Sequence, residues 1–176
     1  MRILAISGSL RAQSTNSAVV QAAAKLAPPG MEIVVYRDLG ALPHFNPDLE
    51  ADAPPAPVAA LRRHIALSQG LLICSPEYAR GVPGALKNAL DWLVGSVEFP
   101  DMPVALINAS PRAISADAQL RLTLATMSAR LVEAASITLP LLGRGFDADA
   151  IVADASVAGE LRGALDALAG AAAATR

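Results

Sequence analysis

The chain has a single cysteine, Cys74, so no internal disulfide can form, which suits a reducing compartment. It has little excess charge: the net charge is −2, and the basic residues are scattered rather than clustered. That excludes the basic footprint of a nucleic-acid binder and the polybasic patch of a protein drawn to anionic lipid. No apolar run approaches the ~18 residues of a membrane span. The short run after Met1 and Arg2 stops at Ser7, too soon for a secretory signal. There is no internal repeat, no metal-ligand spacing and no Ser-His-Asp set. The two histidines stand alone, His64 on a helix that leaves it solvated and His44, beside Phe45, in a long loop where it can line a substrate entrance. The expectation is a cytoplasmic globular protein with no nucleic-acid or membrane partner.

What is present is a core. Hydrophobic residues make up 53% of the 176 and charged residues 17%, which fits one globular domain spanning 1–176. Apolar strand-like runs alternate with longer helical segments. Strands are expected at Ile3 to Ile6, Glu32 to Tyr36, Leu71 to Cys74, Val104 to Ile107 and near Ala135 to Leu139. Helices are expected from Ser17 to Leu26, Val58 to Ser68, Gly84 to Val94, between the fourth and fifth strands, and after Asp154. Within the helix after the fourth strand, Leu120, Leu122 and Leu124 alternate like a strand; length and alanine content favour a helix. Residues 37–57, with five prolines, form a long loop of the kind that often carries function. The β-α alternation predicts an α/β fold with a parallel sheet between two helical layers. Ligands in such folds sit beyond the carboxyl ends of the strands, which directs attention to the loops after the first, third and fourth.

The first of these loops reads Ser7-Gly8-Ser9-Leu10-Arg11-Ala12-Gln13-Ser14-Thr15-Asn16 and runs into a helix N-terminus. Free N–H groups and the helix dipole favour an anion there, and Arg11 can fork onto a phosphate. It is neither a P-loop nor a G-x-G-x-x-G fingerprint. Hydroxyls, amides and one arginine suit a phosphate monoester such as that of FMN. The plainer alternative is a polar turn with Ser14 or Asn16 as the helix N-cap.

The loop after the third strand, Ser75-Pro76-Glu77-Tyr78-Ala79-Arg80-Gly81-Val82-Pro83-Gly84, is stiffened by two prolines and offers backbone donors to a flat ring, with Tyr78 able to pack on one face. The alternative is a surface loop that starts the next helix. Cys74 to Arg80 also matches the Cys-x5-Arg pattern of a cysteine phosphatase, but Glu77 inside the loop would repel a dianion and Pro76 removes a donor.

Taken together, Gly8-Ser9-Leu10-Arg11 with Ser14 and Asn16, then Ser75-Pro76-Glu77-Tyr78 and the run Pro83-Gly84-Ala85-Leu86-Lys87-Asn88-Ala89-Leu90-Asp91-Trp92, resemble the NADPH-dependent FMN reductase family, which includes flavin, quinone, chromate and azo reductases. The resemblance spans nearly the whole chain. It implies a flavodoxin-like three-layer sandwich with a five-stranded parallel sheet of order 2-1-3-4-5. It implies FMN phosphate on Ser9, Arg11, Ser14, Thr15 and Asn16, the ring held by Pro76, Glu77, Tyr78 and the position of Ala79, largely through backbone groups, and Ser110 near the ring. It implies two-electron hydride transfer from NADPH or NADH through FMN to a small-molecule electron acceptor in a ping-pong scheme, with no catalytic acid–base dyad in the protein. It implies a homodimer or homotetramer to which the helix of Lys87 and Asp91 contributes. The rival reading is a flavodoxin-type FMN electron carrier with no hydride donor of its own, against which the weak net charge speaks. Two departures stand out: Ala79 replaces the family's usual asparagine, and the loop after the fourth strand reads Ala109-Ser110-Pro111-Arg112-Ala113 instead of being glycine-rich. Arg112 is a candidate for the NADPH phosphate, for a partner subunit, or for plain solvation.

Overall fold

In the computed structural model, residues 1–50 and 53–174 are described. The strands are β1 (Arg2–Ser7), β2 (Glu32–Tyr36), β3 (Gly70–Cys74), β4 (Pro103–Asn108), β5 (Arg130–Leu131) and β6 (Ile137–Thr138). The helices are α1 (Thr15–Leu26), α2 (Ala56–Ala66), α3 (Gly84–Leu93), α4 (Ile114–Thr126), α5 (Ala148–Ala153) and α6 (Ala155–Ala173). The strands form one parallel sheet in the order β2-β1-β3-β4-β5, and β6 also pairs with β4. This is the flavodoxin-like arrangement expected.

Successive residues of the central strands feed opposite cores, as the two-residue period of a strand requires. Ile3, Ala5, Leu72 and Ala105 pack against α1, α5 and α6 on one face. Leu4, Ile6, Leu71, Ile73, Val104 and Leu106 pack against α2, α3 and α4 on the other. Burial on both faces is why these runs are apolar throughout.

Three expectations are corrected. The fifth strand is split: β5 and β6 each pair two residues with β4, and a 3-10 turn at Glu133–Ala135 separates them. At the break, the Ser136 hydroxyl accepts from the Leu106 N–H in place of a ladder carbonyl. Residues 37–57 are not one loop: they hold 3-10 turns at Leu39–Ala41 and Pro47–Glu50, and α2 begins at Ala56, while positions 51 and 52 lie outside the described residues. His64 is half-buried, with its ring edge-on to Tyr36 at 5.8 Å.

Candidate active site

The carboxyl ends of three strands lie side by side. Ser7 is in register with Cys74, and Cys74 with Ile107. The loops that follow β1, β3 and β4 therefore emerge together. Gly8 lets the first two touch. Its N–H donates to the Cys74 carbonyl at 2.9 Å, and a Cβ there would lie 2.6 Å from Ser75 Oγ.

Hydroxyls preset the first loop. Ser7 Oγ lies 3.0 Å from Ser17 Oγ and accepts from the Ser9 N–H, and Ser9 Oγ accepts from the Arg11 N–H. Ser14 is the N-cap of α1 and accepts from the Ser17 N–H at 3.4 Å. The capping reading and the anion reading are thus compatible: with Ser14 capping one donor, the Thr15 and Asn16 N–H groups remain without an intrahelical partner. Arg11 is exposed and has no carboxylate partner among the described residues. Asn16 is buried, and its Oδ1 accepts from Cys74 Sγ at 3.2 Å.

The second loop closes on itself through Tyr78 and Gly81, which exchange backbone hydrogen bonds of 3.1 and 3.0 Å. Ala79 and Arg80, at φ 50° and 63°, carry that turn in the left-handed region, where asparagine and glycine are preferred to alanine. The Glu77 carboxylate reaches across to α4 and accepts from the N–H groups of Ser115 and Ala116 at 2.9 and 3.0 Å. It caps a helix whose own N-cap residue, Ala113, has no acceptor. The third loop is held by Asn108, whose Oδ1 accepts from the Ser110 N–H, while Ser110 Oγ accepts from the Arg112 N–H.

Between these loops lies a cleft of about 320 Å3. Thr15, Asn16, Pro76, Glu77, Ser110 and Arg112 line it. A second hollow of about 690 Å3 continues over Arg11, Ser14 and Thr15 to residues 143–148, and the two share Thr15 and Gly143. Tyr78 faces a more apolar recess of about 430 Å3 with Leu10, Arg11 and Pro83, and its hydroxyl lies 3.4 Å from Ser9 Oγ. Nine of the ten expected site residues thus surround connected openings or brace their walls. Ala79 lines none of them.

Two readings weighed from the sequence find no support. Cys74 is fully buried and burial pushes its thiol up, so it offers neither the thiolate nor the access that a phosphatase nucleophile needs. His44 lines none of these openings, and its loop is tied to α3: the Pro43 carbonyl accepts from Asn88 Nδ2 and Trp92 Nε1, and Phe45 packs edge-on to Trp92 at 5.0 Å. Sequence reasoning directed attention to the loop after the fourth strand without singling out Asn108, and it missed Leu142 and Gly143, which close the cleft from a segment with no motif.

The donor set fits FMN. Unpaired first-turn amides and an unpaired arginine suit a phosphate dianion, and the cleft beside Pro76 and Glu77 has the stiff wall a planar ring requires. No group of acidic, histidine or cysteine residues able to hold a metal occurs among the described residues.

Comparison with known proteins agrees. The sequence model of the family described as NADPH-dependent FMN reductase matches residues 1–141. An NAD(P)H-dependent FMN reductase of Pseudomonas aeruginosa is 36% identical over 159 residues, covering 88% of this chain and 85% of that protein. A quinone reductase of Pseudomonas putida is 39% identical over 117 residues, covering 64% of this chain and 61% of that one. Among solved structures, the flavoenzyme NAD(P)H:(acceptor) oxidoreductase FerB of Paracoccus denitrificans superposes with a TM-score of 0.83 at 32% identity, covering 98% of this chain and 97% of that one.

Proposed function

Because this chain belongs to the NADPH-dependent FMN reductase family and is an FMN-dependent NAD(P)H oxidoreductase, we propose that it passes two electrons to a quinone or a similar small, flat acceptor, with cosubstrate and acceptor entering in turn. The observation that carries this reading is the union of an anion-ready helix end and a stiff-walled cleft where three strand-end loops converge. FMN supplies the hydride chemistry when bound, so the protein needs no acid–base pair of its own.

The chain's residues bind and orient. Arg11 and the first-turn amides of α1 hold the phosphate, with Ser9, Ser14, Thr15 and Asn16 around it. Pro76, Glu77 and Tyr78 form one side of the ring site, and Ser110 the side toward β4. Glu77 acts from its backbone toward the ring, since its carboxylate is committed to α4. The apolar recess at Leu10, Tyr78 and Pro83 is where the acceptor would shed water. The quinone reductase relatives support an acceptor of this class.

The whole of 1–176 acts as one domain in this reading. It works in the cytoplasm, where an unpaired Cys74 needs no oxidising partner. It assembles as a homo-oligomer through the end of α3, where Val94 and Val97 are 66% and 87% exposed, and light scattering tests this. Initial rates with NADPH and a benzoquinone test the function. Parallel double-reciprocal lines are expected, and no quinone-dependent oxidation of NADPH or NADH would refute the reading.

A further inference from the structure

Cys74 is the one nucleophilic thiol of the chain, and the reaction above leaves it unused. It ends β3, between β1 and β4, with no exposed surface. Sγ donates to Asn16 Oδ1 at 3.2 Å. Asn16 stands in the first turn of α1, where the first loop ends, and lines the cofactor cleft. One sulfur atom therefore links the end of β3, which leads into the second loop, to the start of α1, which follows the first.

The consequence falls on Asn16. The residue as a whole is 9% exposed. An amide has two different ends, an acceptor oxygen and a donor nitrogen, and a half-turn exchanges them. With Oδ1 engaged by the thiol, Nδ2 has no partner among the described residues and is the end left for the cleft. An anionic or oxygen-rich ligand is attracted by the nitrogen and repelled by the oxygen.

We propose that Cys74 is a positioning residue whose thiol fixes the Asn16 amide so that Nδ2 donates to an oxygen of the phosphate–ribityl chain of FMN. The inference rests on the FMN site described above. It gives a role to a cysteine that composition alone reads as a small buried hydrophobe.

The test is a set of FMN dissociation constants, read by quenching of flavin fluorescence, for the wild type, Cys74→Ala, Cys74→Val, Cys74→Ser, Asn16→Ala and the Cys74→Ala/Asn16→Ala pair. Thermal midpoints of the FMN-free proteins separate loss of fold from loss of orientation. Cys74→Ala and Cys74→Val, the second of which keeps the core filled, should each weaken FMN by about fivefold, the size of one neutral hydrogen bond. Cys74→Ser, which restores a donor, should bind within about twofold of the wild type. The double variant should bind no more weakly than Asn16→Ala alone, because the thiol acts through that amide. Wild-type affinity in both Cys74→Ala and Cys74→Val, or losses that multiply in the double variant, would overturn the proposal. Failure of the wild type itself to bind FMN would instead bring down the site reading beneath it, and this role with it.

Discussion

Ala79 shows how a single backbone angle can explain a departure from a family pattern. The resemblance suggests a lost side-chain contact at the ring, but Ala79 lines no part of the clefts and sits at φ 50° in the turn closed by Tyr78 and Gly81. Asparagine tolerates that region better than alanine, and glycine better still. Ala79→Gly should therefore stabilise the fold by about 0.5–1 kcal/mol, seen as a higher midpoint in urea. Tyr36 makes a second residue-scale case. Its hydroxyl is buried with no hydrogen-bond partner, and burial, with Asp38 nearby, pushes it up to about 12. The folded value lies above the unfolded one, so this group's contribution is intact below pH ~10 and is lost as pH rises toward 12. Tyr36→Phe should be more stable than the wild type by about 1 kcal/mol at neutral pH and should flatten the alkaline decline, both measurable by denaturation at a series of pH values.

Elements were legible in the sequence where one local rule decides them. Glu32–Tyr36 is a strand with the bounds its apolar pattern implies, and Gly84–Leu93 is a helix whose buried Leu86, Ala89, Leu90 and Leu93 show the expected spacing. The ambiguity at Leu120, Leu122 and Leu124 resolves as a helix because Leu120 and Leu124 face the core and Leu122 faces solvent. What stayed illegible depends on partners distant in sequence. The break between β5 and β6 is set by Ser136 against β4, thirty residues earlier. The capping of α4 by Glu77 spans 38 residues and leaves no local signature. That cap is testable. Glu77→Ala should cost about 1 kcal/mol and raise amide exchange at Ser115 and Ala116, with the rest of the sheet unchanged. Equal exchange in the two proteins would mean that α4 needs no cap from the second loop.

For the whole molecule, the parallel sheet explains why the β-α alternation of the sequence is enough to locate the site. A doubly wound sheet presents its loops at one edge, and the loops after β1, β3 and β4 are the three that meet. The motifs in two of them point to the cofactor. The Leu142–Gly143 wall carries no motif, so its part in the cleft follows only from the fold. Because the site is shared among loops from separate strands, FMN binding should stabilise the molecule as a unit: at a hundredfold excess over Kd the gain is about 2.7 kcal/mol, visible as a rise in thermal midpoint.

The most direct test of the central claim is an absorption spectrum of the FMN-loaded protein before and after anaerobic addition of NADPH, with NADH in parallel. The account predicts a protein-bound flavin spectrum that bleaches with either nucleotide and returns when a quinone is added. A protein that retains no FMN, or that binds FMN tightly yet is bleached by neither nucleotide, would contradict it.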